Sequence, residues 1–280
     1  MANLIKQITK SNYYRRIFRE NRAKIDELRS VLADDRSAEI LDLILKAYKA
    51  TVRHPGYYFL KAAQECNIFH FVAEDGYVVK GTDNPYFSDE IFNIDNDIVF
   101  LDGGGFIGDS LEQLYKKLNG PFRYAYSFEP NPESYAKLLQ TVSRHKMNVQ
   151  CINAGLDNKD GTASFKLSDS GSWIASDGEE TITVVDIKRF LKELTDVYPT
   201  FIKLDIEGKE TDVINAMSDF IKARKPDLAI SVYHKLEDLW EIPLLIHSVN
   251  KDYKIYLRHQ SNYFTETVCY ATCADNKQNY

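Results

Sequence analysis

From Asp97 onward, short apolar runs alternate with segments in which apolar side chains recur every three or four residues. The runs are Ile98 to Leu101, Tyr124 to Phe128, Val149 to Ile152, Phe201 to Ile206, Leu228 to Tyr233, Lys254 to Leu257 and Thr267 to Ala271, and they predict seven strands. Between them, Leu111, Leu114, Tyr115 and Leu118 fall at helical offsets, as do Tyr135, Leu138, Leu139 and Val142. The same holds for Ile187, Phe190, Leu191 and Leu194, and for Val213, Met217, Phe220 and Ile221. Each stripe suits a helix laid on a sheet. This alternation builds a parallel sheet linked by helical crossovers. Only about nine residues join the last two runs, whereas a parallel crossover needs a dozen or more, so the final strand is expected to run antiparallel. Residues 161–185, punctuated by Gly, Ser and Asp, predict a hairpin or long loop beside the ligand cleft. The fold class expected is α/β, a mostly parallel seven-stranded sheet with a terminal antiparallel hairpin.

Residues 1–85 differ in character, and a helical N-terminal region is expected there, ahead of a domain over 86–280. Tyr14, Phe18, Ile25, Leu28 and Leu32 approximate a helical stripe, a second helical signal runs from Ile40 to Tyr48, and His54-Pro55-Gly56 breaks it. The first 24 residues carry seven bases (Lys6, Lys10, Arg15, Arg16, Arg19, Arg22, Lys24) against one acid, Glu20. Such an arm either touches an anionic membrane, a lipid-linked substrate or a phosphate-bearing partner, or docks on its own domain or on a second subunit; docking is the favoured reading.

Charge and cysteines narrow the function classes. With 35 Lys and Arg against 41 Asp and Glu, the formal charge is −6, which argues against a protein whose task is to neutralise duplex nucleic acid. The opening MANLIKQITK lacks the apolar stretch of a secretory signal, so Cys66, Cys151, Cys269 and Cys273 are expected to be reduced thiols in a cytoplasmic protein. Cys269 and Cys273 have no partners at zinc-site spacing.

The chemistry concentrates at strand ends. Ile98 to Ser110 (IVFLDGGGFIGDS) is an apolar strand entering a glycine-rich turn and then a helix, the arrangement of a nucleotide-type site. Two registers fit: Gly103, Gly105 and Gly108 match the pyrophosphate pattern G-x-G-x-x-G, while Asp102, Gly104 and Gly108 match an acid-first D-x-G-x-x-x-G. A carboxylate at the strand tip would repel pyrophosphate and attract the ammonium and sulfonium of S-adenosylmethionine, which favours the second register. Glu129, after the next strand in YSFEPNP, is placed to accept from both ribose hydroxyls of an adenosine. The fourth strand ends FIKLDIEG, where Lys203 and Asp205 share a face and Glu207 follows; three ionisable groups there are expected to face the cleft. His234 follows the fifth strand and Arg258-His259 the sixth.

The order DGGGFIGDS, YSFEPNP, VVDIKRFL, FIKLDIEGKE, KPDLAISVYHKLEDLWEIP and IYLRHQSNYFTETVCYA, over roughly residues 86–272, resembles the FkbM-type S-adenosylmethionine-dependent methyltransferases. The lead-in NPYFSDEIFNI is similar to that family as well. The resemblance implies a Rossmann-like methyltransferase sheet and methylation of a hydroxyl on a sugar, glycan precursor or secondary metabolite. It places the cofactor along Asp102, Gly103, Gly104, Gly105, Phe106, Gly108, Asp109 and Ser110, at Glu129 and Pro130, at Gly155 and Leu156, and at Asp205. Phe106 departs from the small or amide residue common in the family and is expected to pack beside the cofactor instead of donating to it.

Methyl transfer needs an acceptor oxygen held in line with the sulfonium methyl, and an alcohol gains from a base as its proton leaves. His234 is the first candidate base, then Asp205 or Glu207, with Lys203 as an orienting charge. A divalent cation on Asp205 and Glu207 is an alternative, left unresolved because no third oxygen ligand follows strand five; no metal ligand set is assigned. Two competing functions are a nicotinamide-dependent oxidoreductase or epimerase on the first glycine register, and a non-catalytic cofactor-binding module. Tyr57, Tyr58, Phe59, Phe69, Phe71, Tyr77, Tyr86 and Phe87 are candidates for stacking on sugar faces, most of them expected to be core.

Overall fold

Four helices open the chain: α1 (Ala2–Glu20), α2 (Arg22–Val31), α3 (Asp35–Lys49) and α4 (Pro55–Glu65), followed by an antiparallel hairpin of β1 (Ile68–Ala73) and β2 (Gly76–Gly81). The computed structural model describes residues 2–50, 55–65, 68–73, 76–81, 86–168, 171–174, 180–261 and 263–273. The helical region expected over 1–85 thus also contains a strand pair. Cys66 and His54 lie outside the described residues, as do the side chains of Lys6, Lys10, Phe69, Phe71 and Tyr77.

The sheet and its crossovers follow: β3 (Val99–Gly103), α5 (Asp109–Lys117), β4 (Tyr124–Phe128), α6 (Pro132–His145) and β5 (Val149–Ile152). Next come four strands of a side sheet, β6 (Gly155–Asp157), β7 (Gly161–Ser168), β8 (Gly171–Ile174) and β9 (Glu180–Asp186). The chain returns through α7 (Ile187–Glu193) to β10 (Phe201–Leu204), α8 (Glu210–Ala216), α9 (Ser218–Arg224), β11 (Asp227–Ser231), α10 (Asp238–Val249), β12 (Lys254–His259) and β13 (Thr267–Thr272).

The seven-stranded sheet has the order β12-β13-β11-β10-β3-β4-β5. Only β13 runs against the rest, paired antiparallel with both β11 and β12, as the short last link requires. The punctuated stretch at 161–185 is an antiparallel set, β7 pairing with β8 and β9, while β6 joins β9 in parallel. Helix α6 starts where the sequence marks it: Asn131 caps it by accepting from the backbone of Glu133 and Ser134, and Pro132 takes the first turn.

Both faces of the sheet are covered, so β3 is buried at every residue. The N-terminal helices complete one side. Leu28, Ile40, Leu41 and Ile44 join Trp240, Ile242, Ile255 and Leu257 in one core. Phe18 meets the Trp240 ring edge-on at 6.1 Å. Leu32 bridges to Ile255 on edge strand β12, and Ala33 N–H donates to the Ile255 carbonyl at 2.8 Å, covering an edge that would otherwise offer unpaired backbone groups. Arg258 sits beneath this junction, 5% exposed, donating to Asp34 at 2.7 Å and to Ser37 at 3.0 Å. Three bases of the N-terminal arm make ion pairs within the chain, Arg16 with Glu20, Arg22 with Asp26 and Lys24 with Glu241, and Arg15 donates to the Ser11 hydroxyl. Among the described residues no helix is long and apolar enough to cross a membrane.

Because Leu28 is fully buried in the core shared with the sheet, Leu28→Ala is expected to cost about 3 kcal/mol and lower the melting temperature by about 5–10 °C in a single transition. Two separate thermal transitions would show that the helices fold as their own unit.

Candidate active site

Asp102 ends an apolar strand yet is fully buried. A carboxylate in that position needs partners. Ser110 and Ser127 hydroxyls donate to its Oδ2 at 2.7 and 3.1 Å, and Lys203 Nζ lies 3.1 Å from Oδ1. Lys203 also donates to the Gly104 carbonyl at 2.6 Å. Burial alone would push the Lys203 pKa down; Asp102, Asp205 and Asp109 more than reverse this and raise it, so the ammonium stays charged. The expectation that Asp102 greets a cationic ligand directly is therefore corrected. Its side chain is fully buried and its charge is met by Lys203, its register partner on the neighbouring strand, and this pair holds the turn.

That turn resolves the two registers. Gly104 and Gly108 have φ of +82° and +85°, the left-handed region, whereas Gly103 and Gly105 do not. The acid-first register is the one that uses glycine's conformational freedom. A side chain on Gly104 would in addition collide with the backbone oxygen of Asp205. Backbone N–H groups of Gly104 and Gly105 both donate to the Phe128 carbonyl, at 3.0 and 2.8 Å, which locks the turn to β4.

Glu129 stands opposite. Phe106 N–H donates to Oε2 and Asn131 N–H to Oε1, each at 2.8 Å, so two backbone bonds fix the carboxylate and leave each oxygen a further lone pair. Burial dominates its titration and pushes the pKa up to about 7. Phe106, at φ +44°, is 55% exposed, a large apolar ring left open beside Glu129. Around this corner, Leu156 approaches Gly103 and Pro130 lies next to Gly155. Asp109 begins α5 exposed to the cleft; desolvation there raises its pKa, and Asp102 adds to the rise against the opposing pull of Lys203.

The second half of the site lies past β10 and β11. Tyr86 and Tyr233 hydroxyls donate to the two oxygens of Asp205, each at 2.9 Å. Burial would raise the Asp205 pKa, but His234, Lys203 and the two hydroxyls lower it overall. His234 Nδ1 lies 3.0 Å from Glu210, and its Nε2 lies 3.4 Å from Asp205 and 3.5 Å from Glu207. Burial opposes charge on the ring, yet Glu210, Asp205 and Glu207 outweigh it and push the pKa up to about 9. Carboxylates thus stand at both ring nitrogens and favour the charged imidazole. Glu207, in left-handed backbone at φ +58° and half-exposed, is driven by burial up to about 7. Glu266, also at positive φ, is raised to about 7 by burial and by Asp205.

Tyr233, Glu210 and Glu266 are site residues that motif reading misses, and Tyr86, named only as an aromatic for stacking, is buried here with its hydroxyl on Asp205. The nearest signals are the adjacency of Tyr233 to His234 and the three-residue step from Glu207 to Glu210 in EGKE. Arg258 and His259 belong elsewhere: Arg258 holds the N-terminal helices, and His259 is fully buried with Nδ1 2.8 Å from Thr267. Of the stacking candidates, Phe59 and Phe87 are core and Tyr57 is 61% exposed. Cys269 and Cys273 are buried apolar neighbours of the sheet.

Comparison with known proteins agrees with this geometry. The sequence profile of the methyltransferase FkbM domain matches residues 102–260, more than half of the chain. The hexuronic acid methyltransferase AglP of Haloferax volcanii is 25% identical over 133 residues, 46% of this chain and 54% of its own. Methyltransferase 1 of Beauveria bassiana is 27% identical over 176 residues, 53% of this chain and 67% of its own. The crystal structure of methyltransferase FkbM from Methylobacillus flagellatus superposes with a TM-score of 0.71 at 23% identity, covering 91% of this chain and 59% of that one. The match thus spans about half the length of AglP and shares its fold with a longer protein. On the profile match and on the strand-turn-helix geometry that carries it, the chain belongs to the FkbM family of S-adenosylmethionine-dependent methyltransferases.

Proposed function

We propose that the chain methylates a hydroxyl oxygen on a sugar, glycan precursor or secondary metabolite. The observation that carries this reading is the continuity of the site: the Glu129–Phe106 corner, suited to a ribose and purine, runs through the Gly104 turn into the Asp205–Glu207–His234 cluster. The residues fit the methyl donor. Glu129 has lone pairs for two ribose hydroxyls, Phe106 offers an open ring, and the surrounding carboxylates favour a ligand of net positive charge over its neutral product. Bound there, S-adenosylmethionine supplies a methyl carbon that the acceptor oxygen attacks, the carbon–sulfur pair leaving with sulfur.

The rest falls to the chain's own residues. Glu207 takes the hydroxyl proton, since it is the half-exposed carboxylate of the cluster and its pKa is raised to about 7. Asp205, fixed by two tyrosine hydroxyls, orients the acceptor. The name of AglP supports a sugar-class acceptor.

Two outcomes are expected. Calorimetric titration with S-adenosylhomocysteine should show affinity rising about tenfold from pH 6 to pH 8, because Glu129 accepts ribose hydroxyls only when ionised and its pKa is about 7. Glu129→Gln should bind about 10–100-fold more weakly and lose that slope. Heat from NAD with none from S-adenosylhomocysteine would sink the methyl-donor reading. In turnover assays with a panel of sugars, Glu207→Gln should lower kcat by a factor of about 10²–10⁴ while leaving S-adenosylhomocysteine affinity unchanged. Unaltered kcat would remove Glu207 from the proton path, and full function in Asp205, Glu207 and His234 variants alike would favour a non-catalytic module.

A further inference from the structure

Glu210 is fully buried at the start of α8. Ile206 N–H donates to its Oε1 at 2.8 Å, but its Oε2 has no hydrogen-bond partner, a costly state for a carboxylate oxygen out of reach of water. His234, with a side chain only 9% exposed, is in the same condition: Glu210 and Asp205 lie near its two nitrogens, yet neither contact has the direction of a hydrogen bond. One ligand atom each from Asp205, Glu210 and His234 lies within 4.8 Å of the others. Converging donors whose mutual hydrogen bonds are poorly made are arranged around a point instead of toward one another.

We propose that Asp205, Glu210 and His234 hold a divalent cation of the Mg²⁺ or Mn²⁺ class beside the acceptor hydroxyl. Two carboxylates suit both ions, and the imidazole, which binds as the neutral ring after giving up its proton to solvent, favours Mn²⁺ over Mg²⁺. The outer contacts have the character of a supporting shell: Tyr86 and Tyr233 fix Asp205, and the Ile206 backbone fixes Glu210. The cation also answers a question of charge, because four carboxylates meet here around one imidazole. Within the methyltransferase reading, on which this catalytic role rests, the ion would bind the acceptor oxygen and lower the pKa of its hydroxyl, while Glu207 receives the proton. The sequence-level alternative of Asp205 with Glu207 is thereby revised, with Glu210 and His234 supplying the missing ligands.

The test is a Mn²⁺ titration of the full chain followed by electron paramagnetic resonance, with S-adenosylhomocysteine calorimetry on the same samples. The expected result is saturable binding of one Mn²⁺ per chain, displaced by excess Mg²⁺ and weakened about tenfold or more in both Glu210→Gln and His234→Asn. Absence of saturable binding to the wild-type chain, or binding unchanged in both variants, would overturn the proposal. Calorimetry keeps the two readings apart: S-adenosylhomocysteine binding without Mn²⁺ binding refutes the metal site and leaves the methyl-donor site standing.

Discussion

The buried ammonium of Lys203 is the constraint on which the site depends. It lies between the carboxylate of Asp102 on the neighbouring strand and the carbonyl of Gly104, and above the ring of Tyr86 at 5.1 Å. A buried ion pair is expensive and is tolerated only where further hydrogen bonds satisfy it, which here come from Ser110, Ser127 and the turn itself. One charge thereby ties both halves together. Through Asp102 and Gly104 it sets the glycine turn, and through Tyr86 it reaches the residue that fixes Asp205.

The cleft that results is acidic with little compensation. Asp109, Glu129, Glu207 and Glu266 all have pKa values raised first by burial, and His234 is raised by its acidic neighbours. Such a field discriminates between a cationic methyl donor and its neutral product, so the charge lost on transfer is itself a reason for the product to leave. The same field creates the demand that a divalent ion would meet.

Much of this was legible in the sequence, for identifiable reasons. Strands buried on both faces read as unbroken apolar runs, and crossover helices keep a stripe, so all seven sheet strands stand out, as does the antiparallel β13. Helix α10 does not: Leu239, Ile242, Pro243 and Ile246 keep a helical stripe, but Trp240, Leu244 and Leu245 add apolar residues around it where the helix packs against more than one neighbour, and the run loses its contrast. Asp102 was visible as an anomaly, but its direction was not. Whether an acid at a strand tip faces a ligand or a lysine depends on β10, a hundred residues later. Glu266 was invisible for the same reason, and Tyr86 was visible only as an aromatic, since only the fold brings them to Asp205. His234 was found, but not its contact with Glu210, which only the fold supplies.

The central claim is that Asp102 and Lys203 act as one unit that shapes the donor turn, and a double-mutant cycle tests it most directly. Urea unfolding and S-adenosylhomocysteine affinity would be measured for Asp102→Asn, Lys203→Met and the pair. Each single change strands a buried charge and should cost about 3–5 kcal/mol of stability with much weakened binding. The double variant should recover part of the loss, with a coupling energy of about 2 kcal/mol or more. Losses that add to within about 0.5 kcal/mol, with donor affinity intact in either single variant, would contradict the account.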